Sequence, residues 1–162
     1  MHNFVVSQEY QYLASKHIHQ SWVVYDKTFF KPELFSLYGI LQPSSLNQAV
    51  VKRKSEFLAG RIAAQAILSQ VEKGHCQIVV GENRSPVWPQ GYIGTISHTE
   101  REAICLMASD KELEIIGVDI ENWLTEETAA GIEKSIVSEP EVRIVEKLEM
   151  PFHHALTIVF SA

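Results

Sequence analysis

The chain has 162 residues, 46% hydrophobic and 21% charged, with a formal net charge of −6, about one domain's worth of ordinary globular composition. An acidic balance excludes a surface built for nucleic acid, which would be basic overall, and no apolar run approaches the ~18 residues that span a bilayer. The two cysteines, Cys76 and Cys105, lie far apart without a CxxC spacing, so neither a disulfide framework nor a zinc site is expected. Free thiols and the lack of a basic-plus-apolar leader fit the cytoplasm.

Residues 1–43 mix aromatic and polar residues, and Ser21–Tyr25 reads as a strand. Phe29–Phe35 reads as a loop entering a short turn. Residues 45–70 are expected to form one long helix. Ser45 with Gln48 three residues later resembles a capping box, and Leu46, Val50, Phe57, Leu58, Ile62 and Leu68 recur at mainly helical spacing. Gly74 and its polar neighbours end that helix. Gln77–Val80 is a short strand, and Gly81–Pro86 a loop. Pro86 and Pro89 bracket Trp88 in a stretch of restricted backbone. Ile93–Ser97 and Ala103–Ala108 read as two strands joined by the polar loop His98–Glu102, and Leu113–Ile120 as a third. Residues 125–136 are helical in pattern, Ser138–Glu141 marks a further helix start, and the terminal HHALTIVFSA favours helix. The fold class is α+β, one domain over 1–162, with strands clustered at 77–120.

Four stretches carry chemistry. In GVDIE (117–121), Asp119 and Glu121 stand at i and i+2, so on a strand both face one side. A hard cation such as Mg²⁺, which takes one or two carboxylates and leaves the rest of its octahedron to water and phosphate, would stabilise the pair. A half-exposed strand with its polar face in water explains the spacing equally. In ISH (96–98), Ser97 and His98 offer donors to an anion. Adjacent residues on an extended chain point apart, which argues against a nucleophile–base pair.

KRKSEFLAGR (52–61) puts Arg53 and Arg61 on one helix, about 12 Å apart along its axis, where long side chains can converge on one extended anion. Arginine's planar fork suits phosphate, and Gly60, Ala59, Ala63 and Ala64 leave the surface low for close approach. The alternative is a solvated basic face with Arg53 paired to Glu56 at i, i+3. Arg84, just before Pro86, is either aimed by a rigid loop or simple surface decoration.

In order, KRKSEFLAGRIAAQAIL, RSPVWPQGYIGTISHT, IIGVDIEN and the terminal FSA make the chain resemble the 4′-phosphopantetheinyl transferase superfamily. It looks most like the enterobactin-synthetase-component-D branch, closely over residues 52–123 and in outline over 155–162. The resemblance implies two similar α/β lobes related by pseudo-twofold symmetry, of which this chain holds the first and the start of the second, with coenzyme A between them. It also implies a reaction: the hydroxyl of an apo carrier protein's serine attacks the β-phosphate of coenzyme A, and 3′,5′-adenosine bisphosphate leaves. By resemblance, Asp119 and Glu121 are the Mg²⁺ ligands and, with His98, the catalytic set; Ser97, His98, Arg53, Arg61 and Arg84 hold coenzyme A phosphates. Where the family often has serine, this chain has Thr95. The family's Lys-Glu pair follows the FSA stretch, so the chain is expected to be a truncated transferase with impaired transfer. Two further readings stand beside it: a non-catalytic coenzyme A-binding fragment that self-associates or pairs with a separate second half, and a metal-dependent phosphoester hydrolase.

Overall fold

The computed structural model describes residues 3–71, 73, 75–136 and 150–161. They cluster in two compact units, Met1–Val118 and Asp119–Ala162. The first contains strands β1 (Val5–Leu13) and β2 (Ile18–Tyr25), a one-turn helix α1 (Leu34–Leu37) and the long helix α2 (Val51–Gln70). The short strands β3 (Val79–Val80) and β4 (Pro86–Val87) follow, then β5 (Tyr92–His98) and β6 (Glu102–Ser109). The second holds helices α3 (Glu126–Ile136) and α4 (Phe152–Ser161). The architecture is α+β, as the sequence pattern implied.

The main sheet is antiparallel in the order β1-β2-β6-β5, and β3 and β4 form a separate two-stranded ribbon. Clustering the strands at 77–120 therefore missed β1, an edge strand of the sheet. β1 carries the sequence VVSQEYQYL and is exposed along nearly its whole length. It lacks the apolar alternation that signals a half-buried strand and is held by its ladder to β2. β2 contains the expected Ser21–Tyr25 strand and extends it back to Ile18.

Helix α2 lies across the sheet. Its Leu58, Ile67 and Leu68 are fully buried, in one core with Val23, Cys105 and Met107 of β2 and β6. Each such side chain contributes about 1.5–3 kcal/mol of burial. Ala59, Ala63 and Ala64 are also fully buried, so they allow close helix–sheet packing, not the approach of a ligand. At Gly60 an added Cβ would lie 2.8 Å from Ile96 Cγ2, so this residue lets α2 settle onto β5.

The helix begins at Val51, not at Ser45. Residues Ser44–Leu46 form a separate 3-10 turn, and the N-cap, Val50, makes no side-chain cap. The expected Ser45–Gln48 capping box is not formed. Pro43 and Leu46 close the earlier turn through the Leu46 N–H to Pro43 carbonyl bond, and that local turn takes the place of a first helical turn. Gly74 and the expected helix start at 138–141 lie outside the described residues.

Leu113–Ile120 is the other correction. The segment after the turn that follows β6 has neither strand nor helix up to residue 125. Among the described residues it belongs to neither sheet. The alternation is nonetheless real: Ile116, Val118 and Ile120 are half-buried, while Gly117, Asp119 and Glu121 are exposed.

In the second unit Thr125 caps α3, its Oγ1 accepting from Thr128 N at 3.2 Å, and Glu126 and Glu127 follow in the first turn, where acids favour the helix dipole. Ala129 of α3 packs with Leu156 of α4. The Leu124 N–H donates to Thr157 Oγ1 at 2.9 Å, and the Trp123 and His154 rings lie 4.4 Å apart. Among the described residues no helix is long and apolar enough to cross a membrane.

Candidate functional site

A cavity of about 470 Å³ opens in the first unit where α2 meets β5 and the β3–β4 ribbon. Arg53, Glu56 and Gly60 face it from α2 at i, i+3 and i+7, one helical stripe, and Arg61 joins them. Ile96 and His98 come from β5, and Arg84 and Pro86 from the ribbon; Leu46, Phe57 and Val80 supply an apolar wall. Three arginines and one histidine thus share a single cavity.

Each cation is placed differently. Arg61 donates from Nε to the Ile78 carbonyl at 2.8 Å, and its guanidinium lies 4.4 Å from the Phe57 ring centroid. Burial pushes it down to about 10, so it keeps its charge at neutral pH. Arg53 Nη1 stands 3.3 Å from His98 Nε2 and 3.9 Å from Glu56 Oε2. His98 Nδ1 is 4.0 Å from that same Glu56 oxygen. Arg84 is exposed and has φ +64°, following Asn83 at φ +53°. Two consecutive left-handed non-glycine residues cost energy and turn the ribbon so that Arg84 stands at the cavity rim. The turn is closed by Gly81 N donating to the Ser85 carbonyl at 2.8 Å.

Trp88, just after β4, packs against β5 at Gly94. At Gly94 a Cβ would lie 2.7 Å from both the Trp88 ring and the Leu106 carbonyl. Only glycine lets the indole approach β5 this closely here.

The rest of the KRK cluster points elsewhere. Lys52 and Lys27 grip the two oxygens of Glu100 at 2.9 and 2.6 Å, which holds that carboxyl down at about 2. Lys54 Nζ donates to the Asn47 carbonyl at 3.1 Å. Even so, three cations stand in or beside the first turn of α2, which has no acid. Cations at the positive end of a helix are unfavourable unless an anion is to be met there.

His98, expected in a loop, is the last residue of β5 and pairs with Ala103. Ser97 sits one position earlier, opposite Ile104. It therefore faces the other side of the strand and is not among the cavity-lining residues. Asp119 and Glu121 belong to the second unit and are exposed. Among the described residues, no group of three or more His, Cys, Asp or Glu side chains forms a metal site.

Sequence reasoning noticed Glu56 only as a partner for Arg53. Its side chain is 11% exposed and lines an otherwise cationic cavity. The i, i+3 spacing was visible in the sequence, but the burial was not.

Residues 42–108, which supply nearly all of this cavity, match the family model described as the 4′-phosphopantetheinyl transferase N-terminal domain. The enterobactin synthase component D of Salmonella typhi is 38% identical over 117 residues, 72% of this chain and 48% of that protein. The chain belongs to the 4′-phosphopantetheinyl transferase superfamily. Enterobactin synthase component D of Escherichia coli strain K12 is 38% identical over 120 residues, 74% of this chain and 55% of its own length. The 4′-phosphopantetheinyl transferase Npt of Nocardia iowensis is 26% identical over 106 residues, 65% of this chain and 47% of its own length. The chain spans about half the length of the curated relatives it matches. The likeness is to the component D branch more than to the Nocardia transferase.

Proposed function

We propose that this chain binds coenzyme A through its phosphates in the arginine-lined cavity and serves Mg²⁺-dependent transfer of 4′-phosphopantetheine to a serine of an apo carrier protein. The single observation behind this is the convergence of Arg53, Arg61, Arg84 and His98 on one cavity within the family-matched segment. Arg61, stacked and hydrogen-bonded, is a fixed charge, whereas Arg53 and Arg84 stand at more open positions and can close onto a phosphate from two sides. A transfer between charged phosphate groups needs positioning and charge stabilisation more than covalent help, and this is what fixed guanidinium forks supply. Ser97 presents its hydroxyl on the opposite face of β5, so in this reading it meets a different part of the ligand from His98.

Asp119 and Glu121 fit a hard divalent cation by chemistry: two exposed carboxylates on one side of an extended segment, with no sulfur or imidazole required. They would hold Mg²⁺, which when bound supplies charge stabilisation at the pyrophosphate. A cytoplasmic setting suits the free thiols Cys76 and Cys105.

Calorimetric titration of the chain with coenzyme A and Mg²⁺ tests the binding, and the mass of an apo carrier protein incubated with it tests the transfer. Arg53→Ala and Arg61→Ala should each weaken coenzyme A binding about tenfold or more, the worth of one charge-assisted contact. Asp119→Ala should remove the Mg²⁺ dependence. Coenzyme A affinity untouched by the two arginine changes would sink the proposal. Binding without a mass gain on the carrier would favour the second reading, a coenzyme A-binding module. What supports that reading is that the first unit alone builds the arginine cavity.

A further inference from the structure

A buried carboxylate in a cavity lined by cations for an anion needs a reason, because by charge alone it repels the ligand. Glu56 has that position. One of its oxygens lies 3.9 Å from Arg53 Nη1 and 4.0 Å from His98 Nδ1, while Arg53 Nη1 lies 3.3 Å from His98 Nε2. The three side chains therefore close a triangle. Arginine has only donors, so in this contact Nε2 must be the acceptor. A neutral imidazole with an accepting Nε2 carries its proton on Nδ1, on the side that faces Glu56. The other charged and titratable groups nearby are accounted for. Arg61 is bonded to Ile78 and Arg84 stands at the rim. Glu100 is neutralised by Lys27 and Lys52, and Tyr25 donates to the Thr99 carbonyl.

We propose that Glu56 is a positioning residue: its carboxylate fixes the Nδ1–H tautomer and ring orientation of His98, and together they brace one edge of the Arg53 guanidinium so that its other edge faces the ligand phosphate. The phosphate part of this inference rests on the proposed coenzyme A site; the tautomer part does not. The helix places Glu56 for this work. It is one turn from Arg53 on the same stripe, and its side chain is only 11% exposed, which leaves it little room to swing away.

The test has two readouts. The ¹⁵N shifts of the His98 ring at a pH where it is neutral report the tautomer, without any ligand. Wild type and Glu56→Gln, whose amide oxygen still faces Nδ1, should show the Nδ1–H form. Glu56→Ala removes the charge beside Nδ1 and also releases Arg53 from Glu56, so Arg53 no longer holds Nε2 as an acceptor and the ring should move toward Nε2–H. Titration with coenzyme A is the second readout. Glu56→Ala should bind about tenfold more weakly, although it removes a negative charge from an anion site, and Glu56→Gln should recover most of that loss. In an Arg53→Ala background the effect of Glu56→Ala should shrink, since interacting residues are not additive. An unchanged tautomer in Glu56→Ala, or tighter coenzyme A binding in either variant, overturns the proposal. If wild type does not bind coenzyme A, the proposed ligand fails, and the tautomer shift alone decides whether Glu56 orients His98.

Discussion

β5 and the segment 113–120 start from similar sequence and end differently. Both are short apolar runs with β-branched residues between turns, and both carry candidate site residues. β5 has β6 beside it in register from Tyr92↔Ser109 to His98↔Ala103 and α2 pressed on it at Gly60. Among the described residues, the segment 113–120 belongs to neither sheet, although its side chains keep a period-two alternation of burial over 116–121. A strand is a pairing before it is a propensity: β preference says that a segment fits a pleated surface, and only a neighbour with free N–H and C=O groups makes it one. The functional consequence follows. His98 is held by a ladder and a packed helix, whereas Asp119 and Glu121 sit exposed on an extended segment.

The sharpest way to test this contrast is to add one methyl group to each region. Gly94→Ala puts a Cβ 2.7 Å from a backbone carbonyl and the Trp88 ring, while at Gly117 no atom of the described residues lies within 4 Å of an added Cβ. Gly94→Ala should lose about 3 kcal/mol or more, because neither the ladder nor the indole can move aside freely. Gly117→Ala should stay within about 0.5 kcal/mol of wild type. Urea unfolding measures both, and equal losses would break the comparison.

Charged residues should divide along the same line. Arg61→Ala removes a stacking contact and leaves the Ile78 carbonyl without its donor, so it should cost about 1–3 kcal/mol of stability as well as ligand affinity. Asp119→Asn should leave the unfolding midpoint unchanged, since the residue is exposed. A clear drop in midpoint for Asp119→Asn would mean that its carboxylate serves the fold.

The smallest effect belongs to the turn between β5 and β6. Lys27 and Lys52 hold Glu100 below its ordinary carboxylate range, at about 2. A carboxyl whose folded value is depressed stabilises the fold above its unfolded value and loses that contribution as pH falls toward the folded one. The stability difference between wild type and Glu100→Gln should therefore be present at pH 7, fade between about pH 4.5 and 2, and shrink with added salt because the site is exposed. A difference independent of both pH and salt would contradict the ion-pair account.

Much of the fold was legible in residue order. The apolar spacing of 57–68 marked α2, the alternation in 93–108 marked the β5–β6 hairpin, and the patterns at 125–136 and 155–161 marked α3 and α4. β1 was not legible, because its polar sequence pairs through backbone alone and leaves no burial pattern to detect. The capping box at Ser45 failed because Pro43 and Leu46 form a competing local turn. In the site, Arg53, Arg61, Arg84 and His98 were all singled out from the sequence. Glu56 was seen only as a surface partner, since i, i+3 spacing carries no information about whether a pair is buried.

The amino-acid sequence by itself determined the residue types for an anion site, the family to which the chain belongs and the helical or extended tendency of most segments. These depend on local spacing and side-chain chemistry, which residue order contains. Tertiary structure decided which tendencies became elements and which charges meet. It paired β5 with β6 and left 113–120 outside the two described sheets, sent Lys52 to Glu100 and Arg53 to the cavity, and buried Glu56 between Arg53 and His98. Each of those outcomes depends on a partner far away in the chain, brought near by α2 settling onto the sheet at Gly60.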